Sequence, residues 1–387
     1  MKQQTHITLI GKTNVGKSTL INRLIGQQVA ITSEIAGTTT DPVRKSMEIS
    51  GVGACTLVDT AGVDDASPLG TQRMAKSRAE LERTDLVLYV LTPEEVPEPR
   101  WISQITELEV PCIVVVNKCD TVDEEGTRST VDFPYVWVSA MTGEGIETLR
   151  KQIAVTLTDS VADNVKTITG DLAHRGDSVL LVMPQDESAP TGRLILPQVQ
   201  TIRELLDKGC IITCTTPEEL PNALTALAAA PHLIITDSQA FRTVHSLTPH
   251  ESMLTSFSVL FAAYKGEPEF FLEGAKVLDR LTPTSRILIA EACAHAPKNE
   301  DIGRVKLPRL LRSKLGEEIT IDIASGADFP HDLAPYDLII HCGACMFTDT
   351  IVRRRISAAR RQGIPMTNYG IAIAHLQGIL KDVSVPQ

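Results

Sequence analysis

Residues Gly11–Ser18 read GKTNVGKS, a glycine-rich turn that ends in a lysine and a hydroxyl. The spacing G-x-x-x-x-G-K-[ST] suits the phosphates of a nucleoside triphosphate. The two glycines, Gly11 and Gly16, let backbone N–H groups face phosphate oxygens. Lys17 brings a point charge to the β- and γ-phosphates, and the Ser18 hydroxyl reaches Mg²⁺. Val15 and Thr19 complete the loop and the first turn of the helix behind it, whose N-terminus adds its positive dipole end. Further along, Asp59-Thr60-Ala61-Gly62 follows an apolar run. Asp59 can act on Mg²⁺ through water, and the Gly62 N–H can meet the γ-phosphate.

A second group of residues has different chemistry. The chain has eight cysteines. Cys55, Cys112, Cys119, Cys210 and Cys214 sit in or beside apolar strand-like runs and read as buried small residues. The other three fall in Cys293-Ala294-His295 and His341-Cys342-Gly343-Ala344-Cys345, each at the carboxyl end of an expected strand. In a parallel sheet those ends open onto one crevice, so the two segments can converge. Gly343 and Ala344 are small enough for the C-x-x-C turn to fold both thiolates around a bulky group. Zinc needs four ligands in a closed tetrahedron, and these five candidates exceed that. A [4Fe–4S] cluster takes cysteine thiolates and tolerates a different fourth ligand. The bland alternative is three incidental cysteines.

The elements that must position these residues follow from the pattern. Short apolar runs at 6–10, 54–58, 86–91, 112–116 and 136–138 alternate with helical stretches such as 18–25 and 72–83. That alternation predicts an α/β fold with a mostly parallel sheet covered on both faces. Residues 159–177 lose periodicity and read as a linker. Two smaller α/β alternations follow, with strands expected at 179–183, 210–214, 233–236, 286–290, 319–323 and 337–342 and a β-rich run at 253–264. The predicted organisation is a P-loop domain at 1–160, a linker at 161–178, a second domain at 179–265 and a third at 266–387.

Several motifs in the first domain resemble the GTPase superfamily. Asn117-Lys118-Cys119-Asp120 resembles its N-K-x-D motif, which implies that the Asp120 carboxylate accepts from guanine N1–H and N2–H₂. Ser139-Ala140 resembles the motif that backs the guanine carbonyl. Gly37-Thr38-Thr39-Thr40-Asp41 resembles the first switch of the TrmE–Era–EngA group, which makes Thr39 the Mg²⁺-binding threonine. In this chain Thr40 stands where that group usually has arginine. Asn14 matches the asparagine of potassium-activated members, implying K⁺ beside the phosphates where an arginine finger would stand. Val63 occupies the position of the water-orienting glutamine of Ras-like enzymes, so slow intrinsic hydrolysis is expected.

The cysteine pattern resembles the HydF family, the maturation GTPases of [FeFe]-hydrogenase, whose signature is C-x-H, a long spacer and then H-C-x-x-C. The resemblance covers the whole chain. It implies a TrmE-like GTPase domain, a dimerising middle domain and a cluster domain in which Cys293, Cys342 and Cys345 bind [4Fe–4S]. His295 and His341 would be exchangeable or outer partners. It further implies a scaffold that receives a transient diiron precursor made by two radical-SAM maturases and passes it to apo-[FeFe]-hydrogenase.

Bulk properties bear on the alternatives. The net charge is −11, which argues against a basic nucleic-acid surface over the whole molecule. Arg353, Arg354, Arg355, Arg360 and Arg361 form one candidate basic patch. The opening residues predict no signal peptide and no apolar run approaches a membrane span, so a cytoplasmic protein with no membrane partner is expected. A ribosome- or tRNA-associated GTPase with a structural metal is the competing reading. Against it stand the charge and the lack of an aromatic-basic stretch after Asp159.

Overall fold

A computed structural model describes residues 5–26, 43–50, 52–60, 80–81, 83–122, 133–159, 166–185, 192, 194–292, 301–345 and 348–386. They fall into two compact units, Met1–Val165 and Lys166–Gln387.

The first unit contains β1 (Thr5–Ile10), β2 (Val43–Ile49), β3 (Gly53–Asp59), β4 (Leu86–Leu91), β5 (Cys112–Val116) and β6 (Tyr135–Trp137). They form one six-stranded sheet in the order β2-β3-β1-β4-β5-β6. All neighbours are parallel except β2 with β3. The central strands LVLYVL and CIVVV are buried along their whole length, as strands covered on both faces must be. The polar edge strand β2 escapes the sequence reading because only Ile49 of its residues is buried. Helices α1 (Lys17–Ile25), α2 (Pro99–Glu107) and α3 (Ile146–Asp159) belong to this unit. Gly26 ends α1 at φ 80°, its N–H returning to the Asn22 and Arg23 carbonyls.

The second unit holds two all-parallel four-stranded sheets. One is formed by β7 (Ser178–Val182), β8 (Ile211–Thr215), β9 (Leu233–Thr236) and β10 (Met253–Ser256), in the order β10-β9-β7-β8. The other is formed by β11 (Arg286–Glu291), β12 (Thr320–Ser325), β13 (Leu338–His341) and β14 (Met366–Asn368), in the order β12-β11-β13-β14. The connecting helices are α4 (Leu196–Lys208), α5 (Leu220–Ala226), α6 (Phe241–Leu247), α7 (Phe257–Lys265), α8 (Pro268–Lys276), α9 (Leu307–Leu315), α10 (Asp349–Arg361) and α11 (Tyr369–Leu376). One hydrophobic cluster runs from Leu180 and Ile234 of the first sheet through Val259, Ala262 and Phe271 to Leu288, Ile339 and Met366 of the second. The two sheets therefore share a core.

Two sequence expectations are corrected here. The run 253–264 is not a continuous strand. It is β10 followed by α7, because the Ser256 hydroxyl caps the helix by accepting the Val259 N–H at 3.2 Å. Helix α7 is apolar almost all round because it is buried on both sides, with Val259 and Ala262 in one cluster and Phe257, Leu260 and Phe261 in another. Such a run cannot be told from a buried strand by periodicity. The expected linker also folds in part: Ile168, Leu172 and Ala173 are buried in the second unit. Among the described residues no helix is long and apolar enough to cross a membrane.

Helix α8 lies so close to β14 that a Cβ on Gly274 would meet the Met366 carbonyl oxygen at 2.0 Å. Gly274→Ala should therefore force the helix off the sheet and lower stability by about 1–3 kcal/mol. Chemical denaturation followed by circular dichroism checks this, and an unchanged midpoint would contradict so close an approach.

Candidate functional site

The phosphate loop lies between β1 and α1, at the strand where the sheet order reverses direction, the usual place for a ligand crevice. Gly16 has φ 93° and Asn14 has φ 66°, so the loop coils through left-handed conformations. Lys17 is buried, and its ammonium donates to the carbonyls of Gly11 and Lys12, each at 2.8 Å. The Ser18 hydroxyl donates to Asp59 Oδ2 at 2.5 Å. A hydroxyl and a carboxylate brought together beside the loop form an oxygen donor pair that suits Mg²⁺. Val15 is buried, Thr19 half-buried and Asn14 exposed.

The two motifs expected to read the base sit at the ends of β5 and β6. Asn117, fully buried, is the tie between them and the loop. Its Nδ2 donates to the Val15 carbonyl at 2.8 Å, and its Oδ1 accepts the Ala140 N–H at 2.9 Å. Gly16 has no room for a side chain because a Cβ would lie 2.4 Å from that amide nitrogen. Lys118 takes φ 67°, and Asp120 is exposed in the middle of a short 3₁₀ turn, Cys119–Thr121. Ser139 is buried, and its hydroxyl accepts the Thr142 N–H at 3.1 Å. Arg23, which the sequence reading missed, reaches from α1 to donate to the Ala140 carbonyl at 2.9 Å. A basic residue in the last turn of the helix after a phosphate loop was the one available signal. Thr39, Gly62 and Val63 lie outside the described residues.

Asn117→Ala removes both amide bonds and leaves two backbone groups without their partner. At about 1 kcal/mol for each bond, nucleotide affinity should fall roughly ten- to a hundredfold. Titration with a fluorescent guanine nucleotide measures this, and wild-type affinity in the variant would contradict the bridging role.

The cysteine segment depends on the register of β11 and β13, which pairs Ala290 with His341. That register places the residues after both strands side by side. The Ala292 N–H donates to Cys342 Sγ at 3.1 Å, and the Ala344 N–H donates to the same sulfur at 3.4 Å. Two N–H donors converging on one sulfur favour its thiolate, as a thiolate-ligated iron–sulfur cluster requires. Ala344 has φ 46°, which folds the C-x-x-C turn tightly. Cys342 and Cys345 are both half-buried. Cys293 and His295 lie outside the described residues, although Cys293 is the next residue after Ala292. Among the described residues no group of three or more His, Cys, Asp or Glu is gathered to hold a metal ion.

His341 is 1% exposed. Its Nε2 lies 2.9 Å from Arg355 Nη1 and its Nδ1 2.6 Å from the Cys342 carbonyl. A guanidinium only donates, so Nε2 accepts and Nδ1–H donates to the carbonyl. In this arrangement the neutral ring has no lone pair left for iron. Burial, and then the Arg355 charge, push its pKa down to about 3.

Arg355 itself overturns part of the expected basic patch. It is 7% exposed and also donates to the carbonyls of Glu291 and Gly326. Arg353 pairs with Asp349 at 2.9 Å and Arg360 with Glu267 at 2.6 Å. Glu291, another residue the sequence reading missed, ends β11 buried between Arg304 at 2.9 Å and the Ser325 hydroxyl at 2.7 Å. Of the five cysteines read as buried, Cys55, Cys112 and Cys210 are buried, Cys119 is half-buried and Cys214 is exposed on the edge strand β8.

Comparison with known proteins matches three successive stretches of the chain. A family profile described as 50S ribosome-binding GTPase matches residues 6–118. The hydrogen maturase F dimerization domain matches residues 168–266, and the hydrogen maturase F tetramerization domain matches residues 269–385. The tRNA modification GTPase MnmE of Nitrosomonas europaea is 37% identical over 160 residues, 40% of this chain and 35% of its own length. GTPase Der of Campylobacter curvus is 37% identical over 162 residues, again 40% of this chain and 35% of its own length. The chain thus spans little more than a third of the length of these curated relatives. A solved structure of S. thermophilus NFeoB bound to GDP·AlF₄⁻ is 26% identical, with a TM-score of 0.32, and covers 40% of this chain and 65% of that one. The two maturase profiles together take in more than half of the 387 residues, directly after a GTPase domain similar to those of MnmE and Der. The chain belongs to the hydrogen maturase F family.

Proposed function

We propose that this protein is a GTP-hydrolysing scaffold that binds a [4Fe–4S] cluster and assembles or carries the diiron subcluster for apo-[FeFe]-hydrogenase. In this reading Lys17 and the loop from Gly11 to Thr19 hold the phosphates. Ser18 and Thr39 hold Mg²⁺, with Asp59 acting through water. Gly62 meets the γ-phosphate, and Asn14 holds K⁺. Asn117, Lys118, Asp120, Ser139 and Ala140 read guanine. Cys293, Cys342 and Cys345 supply thiolates to three irons, and the cluster supplies an iron with an exchangeable position. His341 orients the Cys342 carbonyl. The partners are two radical-SAM maturases that supply the diiron precursor and the apo-hydrogenase that receives it, in the cytoplasm. The dimerization and tetramerization profiles support a homo-oligomer.

The observation that carries this reading is the pairing of a maturase-family second unit with a C-x-x-C sulfur that already accepts two backbone N–H groups. The reading of a ribosome- or tRNA-associated GTPase accounts for the first unit alone.

Cluster chemistry is tested on the cysteines and the histidine together. Cys342→Ser and Cys345→Ser should lose most iron after anaerobic reconstitution, whereas His341→Ala should keep it with an altered spectrum. Full iron retention in both cysteine variants would remove the site. Base reading is tested on Asp120. Asp120→Asn loses the acceptor for two guanine donors, about 1.5–3 kcal/mol for hydrogen bonds to a charged group. Affinity should pass from GTP toward xanthosine triphosphate, and unchanged GTP binding would overturn the assignment.

A further inference from the structure

Lys265 is the last residue of α7 and is 1% exposed. An ammonium carried that deep is costly unless something nearby is negative. Its Nζ donates to the Ala344 carbonyl at 2.7 Å, inside the C-x-x-C turn, and stands 5.1 Å from the centre of the Phe261 ring. The negative groups acting on it are Cys345, Cys342 and Asp349, in that order. Asp349 is already engaged by Arg353 at 2.9 Å. Burial lowers the lysine's pKa to about 8, which leaves it mostly charged at neutral pH. The other buried cation of this region, Arg355, is taken up by His341 and by the carbonyls of Glu291 and Gly326. Lys265 is thus a buried charge anchored on the turn between Cys342 and Cys345, and it comes from the helix that packs against both sheets.

We propose that Lys265 is the built-in countercharge of the cysteine site, a positioning residue whose ammonium offsets the negative cluster and raises its reduction potential. The proposal rests on the cluster reading above. Reduction adds negative charge to the cluster, and a nearby cation in a low-dielectric setting favours the more negative state. Being anchored to Ala344, the cation also fixes the turn that presents both sulfurs. None of this requires Lys265 to bind iron.

The test separates charge from hydrogen bonding. Lys265→Gln keeps a donor for the Ala344 carbonyl and removes the charge, whereas Lys265→Arg keeps the charge. Full-length proteins are reconstituted anaerobically, and potentials are read by redox titration followed by electron paramagnetic resonance. In Lys265→Gln the reduced-to-oxidised ratio at a fixed potential should fall at least tenfold, about 59 mV for a one-electron couple. Lys265→Arg should stay close to the wild type. An iron-free but folded Lys265→Gln beside an iron-loaded Lys265→Arg also supports the countercharge. An unchanged potential in Lys265→Gln, or iron loss in both variants, overturns it. If circular dichroism shows Lys265→Gln unfolded, Lys265→Met, which also lacks the charge, is titrated in its place: a lowered potential supports the role and an unchanged one overturns it. A wild-type protein that takes up no iron defeats the cluster reading itself, an outcome distinct from all of these.

Discussion

Parallel strand pairing is the constraint on which both sites depend, because it lines up the carboxyl ends of strands distant in sequence. In the first unit it sets the ends of β1, β3, β5 and β6 along one edge, so the phosphate loop, Asp59, Asn117 and Ala140 become neighbours. In the second unit the pairing of Ala290 with His341 sets Ala292 beside Cys342. A slip of one residue would turn alternate side chains to the opposite face and dissolve both arrangements. The apolar strands that enforce register are buried on both faces, so register and burial support one another.

Within that frame, single polar side chains fix the loops. Asn117 holds the Val15 carbonyl and the Ala140 N–H with the two ends of one amide. Arg355 does comparable work in the second unit, taking carbonyls at the ends of two strands together with the His341 ring. Each is buried, and each satisfies backbone groups at or beyond the ends of the strands. Such residues are costly to replace because the backbone groups they serve are shut away from water. The second unit adds a helix that serves two sheets at once, with Lys265 at its end under the cysteine turn.

The legible part of the sequence was the part whose signal is local. The phosphate loop, the strand at 86–91 and the helix at 18–25 declare themselves by spacing or by an unbroken apolar or amphipathic run. The edge strand β2 did not, because one edge and two wet faces leave no hydrophobic pattern. The helix α7 was read as strand because complete burial erases the 3.6-residue period. Arg355 looked like one arginine among several in a basic stretch, and only the tertiary fold distinguishes the one that turns inward. Lys265 and Glu291 were invisible for the same reason: a buried charge is recognised by its partners, which lie far away in sequence.

We propose centrally that one chain carries both a guanine-nucleotide site and an iron–sulfur cluster, a pairing open to direct measurement. Its most direct test is elemental and nucleotide analysis of the wild-type protein after anaerobic reconstitution. About four irons and four inorganic sulfides per chain are predicted, together with guanine nucleotide and no adenine nucleotide. Zinc without inorganic sulfide, or adenine nucleotide in place of guanine, would contradict it.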